Sequence, residues 1–143
     1  MDFWADQEKG GSQVPNWIQL QDYVHANYKV DDETPTMMRL LFKVGAVRSQ
    51  YVFIWKQQLQ GDSEDWAQIE SPIGPIANID LTAALDATSN IIVGGLAQTS
   101  DMLVLRHTVP LSDLAASEFE KPLQLIVSTA DELESVLVGG DTY

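Results

Sequence analysis

Residues 50–56, QYVFIWK, carry bulky apolar side chains at five consecutive positions, Tyr51 through Trp55. Successive side chains of an extended strand point to opposite faces. Tyr51, Phe53 and Trp55 would therefore line one side, with Val52 and Ile54 on the other. Such a strand has no polar face to turn toward water, so it is expected inside a sheet with cover on both faces.

The neighbouring segments supply that sheet. In TMMRLLFKV, Met38, Leu40, Phe42 and Val44 alternate with Arg39, Leu41 and Lys43, and Gly45 begins a turn. After the turn-like GDSED, WAQIE reads as a third strand, which Pro72, Gly74 and Pro75 are expected to end. Three consecutive strands joined by short turns make an antiparallel meander.

Upstream, Pro15 can open a helix, and Trp17, Leu20, Val24 and Tyr28 recur at spacings of three and four, predicting one buried face to about Asn27. The run from Asp31 to Pro35 is expected to stop it. Downstream, Leu81, Ala84, Leu85 and Thr88 space a short amphipathic helix behind Asp80 as N-cap. IIVGGLAQ and MLVLRHTV read as two more strands, turning near Ser100 and Asp101, with Gly94 and Gly95 marking a bulge or a close backbone approach inside the first.

A final stripe of Phe119, Leu123, Ile126, Val127, Ala130, Leu133 and Leu137 predicts a long helix ending near Gly139. Ser117 and Glu120 have capping-box spacing, but Pro122 would then sit inside the helix, so a start near Lys121 is the alternative. The expected fold class is α+β: an antiparallel sheet of about five strands packed with helices, in the order α-βββ-α-ββ-α. Residues 15–138 form one domain in this reading, after a flexible lead-in over 1–14 and before a tail over 139–143.

A chain of 143 residues buries about 68–70% of its unfolded surface, enough for a core without disulfide or metal staples. Cysteine is absent, which excludes thiolate metal sites, iron–sulfur ligation and thiol catalysis. The net charge of −13 is uneven: residues 57–143 hold fourteen acids and two bases. That field repels phosphate backbones and anionic headgroups, so nucleic acid and membrane are not expected partners. The first residues lack the basic n-region of a secretory signal, which makes the cytoplasm the default location.

The downstream half carries a resemblance to a known family. The helix LTAALDATSN leading into IIVGGLAQ, then MLVLRHTVPLSDL, then FEKPLQLIVSTADELESVL resemble the junctions and terminal helix of YbjN and type III secretion chaperone-like proteins. The element order over roughly 15–138 is similar to that family as well. The resemblance implies a small sheet with helices against it, a homodimer, and a non-enzymatic role in holding another polypeptide.

No motif for chemistry competes with that expectation. G-x-S-x-G, G-x-x-x-x-G-K-[ST] and G-x-G-x-x-G are all absent. His25 and His107 have no partner histidine at metal spacing, and the acids at 31–33 and 62–65 lack the ligand pattern of a calcium loop. Neither a catalytic residue, a metal ligand nor a cofactor is therefore expected. An enzyme or small-molecule site assembled from residues distant in sequence, or a regulatory subunit of a folded partner, remain the alternatives.

The sequence offers two binding surfaces. Phe42, Tyr51, Phe53, Trp55 and Trp66 fall within three consecutive predicted strands, and are candidates to bind protein if helices cover only one sheet face. Leu81, Leu85, Gly94 and Gly95 are candidates for a dimer interface, where small residues at a sheet edge permit close approach.

Overall fold

The computed structural model describes residues 13–138. The expected tail over 139–143 and the first twelve residues of the expected lead-in lie outside them. Val14, at the end of that lead-in, belongs to the packed domain: it is fully buried and its N–H donates to the Leu114 carbonyl at 3.0 Å.

The order of elements is α1 (Trp17–Asn27), β1 (Val30–Thr34), β2 (Met37–Lys43), β3 (Ser49–Gln58), β4 (Asp65–Pro75), α2 (Leu81–Ala87), β5 (Gly95–Thr99), β6 (Met102–Pro110) and α3 (Ala116–Leu137). A single turn of 3₁₀ helix, Ile76–Asn78, precedes α2. The six strands form one antiparallel sheet in the order β1-β2-β3-β4-β6-β5. The chain is thus α+β as expected, with one strand more.

The added strand is β1, in the acidic run expected to end α1. Asp and Glu are poor strand formers, but β1 is an edge strand whose residues after Val30 are exposed, so its charges stay in water. Arg39 on β2 donates through Nε to Asp31 at 2.8 Å and ties the edge down. α1 begins at Trp17, two residues after the Pro15 expected to start it, and its cap is Asn16, which accepts from the Gln19 N–H at 2.9 Å.

β4 continues through the prolines expected to stop it. β3 pairs with β4 only as far as Phe53↔Glu70, so beyond that point β4 has a partner on one side, β6, and Pro72 needs no donor toward β3. A register shift between Pro72 and Gly74 absorbs the irregularity. β5 is shorter than expected, because Gly94 has φ +90° and turns the backbone before the strand begins.

α3 begins at Ala116 and runs through Pro122, so neither the Ser117/Glu120 box nor a start at Lys121 describes it. Its first turn is closed by Glu118, whose Oε1 accepts from the Ala115 N–H at 2.9 Å. An interior proline costs about 3 kcal/mol. Burial of Phe119, Leu123 and Ile126 on either side, each fully buried, contributes about 1.5–3 kcal/mol apiece and outweighs that cost.

Alternation along the strands settles which face is the core. Met38 and Leu40 on β2, Val52 and Ile54 on β3, Ala67 and Ile69 on β4, and Leu105 on β6 are buried beneath α1 and α3. Tyr23 of α1 meets Phe119 of α3 edge-on at 6.3 Å, and its hydroxyl donates to Glu120 Oε2 at 2.7 Å, joining the two helices in one layer. α2 packs on α3 at the side of that layer. Among the described residues, the helices cover one face of the sheet; cover on both faces, expected for β3, is not found.

Candidate functional site

The uncovered face is built by residues of the opposite parity. Cross-strand pairs Leu41↔Tyr51, Arg39↔Phe53, Met37↔Trp55, Trp55↔Gln68, Phe53↔Glu70, Gln57↔Trp66 and Glu70↔Arg106 share it. Of the five aromatic residues singled out in the sequence, four lie here: Tyr51, Phe53, Trp55 and Trp66. Phe42 does not. It sits on the helix side of β2, in an edge contact with Tyr28 at 5.5 Å, because its position in β2 has the parity of Met38 and Leu40.

The aromatic side chains on this face are partly exposed, and their arrangement is specific. Phe53 and Trp55 stack with centroids 6.4 Å apart and planes 16° from parallel. The Arg39 guanidinium lies 5.0 Å above the Tyr51 ring while also pairing with Asp31, so that end of the face is closed by a cation–π contact. Among the described residues no acceptor meets the buried Nε1 of Trp66. An orphaned donor of this kind costs about 1–3 kcal/mol.

Beside the Phe53–Trp55 stack lies a groove of about 260 Å³, walled by Phe53, Trp55, Pro72, Met102 and Val104. Glu70 lines it, with a side chain only 5% exposed. Arg106, directly opposite on β6, donates Nε at 3.0 Å and Nη2 at 2.9 Å to the same oxygen, Oε1, and Gln68 Nε2 reaches that oxygen at 3.4 Å. The second oxygen, Oε2, accepts no hydrogen bond among the described residues. Arg106 Nη2 also donates to Thr99 Oγ1 at 2.9 Å, which fixes the guanidinium between β4 and β5.

Glu70, Arg106, Met102 and Val104 were not among the candidates read from the sequence. A faint signal was present: Glu70 and Arg106 are single opposite charges inside apolar segments. Their meeting depends on β4 and β6 being neighbours, with β5 outside them, and periodicity carries no information about that order.

The dimer candidates are placed as follows. Leu81 and Leu85 of α2 are 45% and 64% exposed, and Ile92 in the following connection is 96% exposed. Gly95 opens β5, an edge strand, and a Cβ there would meet nothing within 4 Å. Gly94 is different. A Cβ at Gly94 would lie 2.7 Å from Ile126 Cδ1 and 3.2 Å from the Arg106 carbonyl oxygen. Its small size serves packing inside the chain, the close approach expected of this glycine pair.

The residues set aside as sites for chemistry occupy ordinary surroundings. His25 Nε2 lies 2.8 Å from Glu33 Oε1 on the surface, and burial lowers the pKa of His107. Asp65 accepts from the Trp17 N–H at 2.9 Å and from Gln58 Nε2 at 2.8 Å. Burial acts to raise its pKa, but these hydrogen bonds and Lys56 outweigh that and hold it below the ordinary carboxylate range. Among the described residues no cluster of histidines and carboxylates is arranged to hold a metal ion, and no helix is long and apolar enough to cross a membrane.

A second hollow, of about 370 Å³, lies where β1, β2 and β3 meet, with Lys29, Lys43 and Arg48 at its rim and the exposed Val47 beside them. Arg48 is engaged elsewhere, donating to Asp131 of α3 at 3.0 Å. Neither a protein-family model nor a curated protein matches the chain.

Proposed function

We propose that this chain is a non-enzymatic, chaperone-like or adaptor protein of the cytoplasm that holds an extended segment of another polypeptide against the uncovered face of its sheet. The observation that carries this reading is the Phe53–Trp55 stack, partly exposed beside an apolar groove on the face the helices leave open. Aromatic anchors of this type, rigid and amphipathic, concentrate binding energy at protein interfaces. A segment lying across β3, β4 and β6 would place alternate side chains toward the groove.

The proposed unit is a homodimer, joined through α2 and the β5 edge. Leu81, Leu85 and Ile92 are exposed there in succession, and among the described residues β5 is a short edge strand with a neighbour on one side alone. Resemblance to YbjN and type III secretion chaperone-like proteins supports the same two features.

A small-molecule site is the second reading, favoured by the buried Glu70–Arg106 pair in a concave place. Size argues against it. At about 260 Å³ the groove is below the roughly 300–1,000 Å³ typical of ligand pockets, and suits a side chain better than a whole metabolite.

The test is a titration with an extended eleven-residue peptide that alternates leucine and threonine, followed by tryptophan fluorescence and by calorimetry. Saturable binding that Trp55→Ala weakens at least about tenfold supports the reading. Absence of binding, or binding unchanged by Trp55→Ala, refutes the use of this face.

A further inference from the structure

We infer that the groove beside the Phe53–Trp55 stack takes a basic side chain, arginine or lysine, from the bound polypeptide, with Glu70 as its acceptor. This inference rests on the open-face reading and adds the chemistry of the partner. The first observation is the state of Glu70. A carboxylate this deeply buried needs its lone pairs satisfied. Arg106 and Gln68 crowd onto Oε1, and among the described residues none donates to Oε2, in a side chain that lines the groove.

The second observation is the wall. Trp55 and Phe53 present stacked ring systems at the edge of the same groove, and Pro72, Met102 and Val104 complete it. A cation over an aromatic face gains from the ring quadrupole, and the methylenes of lysine or arginine pack on apolar walls while the head reaches a charge. Oε2 could accept from a neutral donor, but only a cation draws on all three features: the carboxylate, the rings and the field of a chain with net charge −13. An anion is repelled by the field and by Glu70. Arg106 stays as the structural counter-ion, held by Thr99 and Glu70 together.

The experiment compares two peptides on the unaltered protein: the eleven-residue leucine–threonine sequence with a central arginine, and the same sequence with citrulline, which is neutral and nearly isosteric. Affinity is measured by calorimetry at two ionic strengths. The inference predicts that the arginine peptide binds at least about tenfold more tightly, as a charge-assisted hydrogen bond in a shielded place requires. It also predicts that most of the preference survives at 0.5 M salt and disappears in Trp55→Ala.

Glu70→Gln should remove the preference too; because it leaves Arg106 without its counter-ion and can unfold the protein, the peptide comparison carries the test. Equal binding of the two peptides overturns the basic-side-chain inference and leaves the open-face reading standing. A preference lost in salt, or retained in Trp55→Ala, assigns it to the general acidic field and also overturns the inference. Binding of neither peptide overturns both.

Discussion

Phe53 and Trp55 stack on each other along one strand, 16° from parallel, on the face of β3 opposite to Ile54. Between them Ile54 is fully buried, whereas the two rings are partly exposed. Adjacent residues of one strand thus divide two tasks, core packing and surface presentation, and substitutions at them should separate.

Ile54→Ala should cost about 2–5 kcal/mol, the range for truncating a buried aliphatic side chain. Trp55→Ala should cost about 1 kcal/mol, since its ring is one-sided and partly in water already. Urea unfolding of the two variants checks this. Equal losses would mean that both faces of β3 are core.

Gly94 and Gly95 are neighbours with opposite expectations. Gly94→Ala forces a side chain onto a backbone with φ +90° and into Ile126, and should destabilise by about 2–4 kcal/mol. Gly95→Ala meets nothing within 4 Å and should stay within about 0.5 kcal/mol. Chemical denaturation of both, side by side, is the measurement; similar losses would contradict the packing described for Gly94.

Glu120 of α3 accepts hydrogen bonds from the hydroxyls of both Tyr23 and Tyr28, which fastens α1 and its exit to the long helix. Burial first, and then the hydrogen bond to this carboxylate, push both phenol pKa values upward. Folded tyrosines then hold their protons where unfolded ones, with pKa about 10, release them. Their contribution to stability is intact below pH 10 and declines as the pH rises above it. Urea midpoints at pH 9, 10 and 11 should fall progressively, and the Tyr23→Phe, Tyr28→Phe double variant should flatten the decline. An unchanged decline in that variant would place its origin elsewhere.

Leu85 is 64% exposed on α2 and belongs to the proposed dimer surface. Leu85→Asp should halve the mass found by light scattering at equal concentration and leave circular dichroism unchanged. A persistent dimer would move the interface away from α2. Loss of the folded spectrum would make Leu85 a core residue, contrary to its exposure.

The elements with strong periodicity were legible in the sequence: the stripe from Phe119 to Leu137, the alternation around Met38 and Leu40, and the double-sided run at Tyr51–Trp55. Elements decided by tertiary partners were not. β1 is a strand because β2 lies beside it, against the preferences of Asp31, Asp32 and Glu33. Pro72 is tolerated because β3 ends its pairing before it, and Pro122 because the residues around it are buried. Four of the five aromatic candidates share the open face; Phe42 has the parity of Met38 and Leu40, as its alternation in the sequence indicated, but which parity of β2 lies under the helices is decided by tertiary packing and could not be read there. Glu70 and Arg106 were invisible as a pair, since strand order brought them together.

The most direct test of polypeptide binding on the open face is site-specific photo-crosslinking. A benzophenone amino acid replaces Tyr51, on that face, or Glu132, exposed on the outer side of α3, and each protein is irradiated with the eleven-residue leucine–threonine peptide. Crosslinks from position 51, competed by excess unlabelled peptide, with little from position 132, are the predicted result. Equal capture at both positions, or capture at 132 alone, would contradict the proposal.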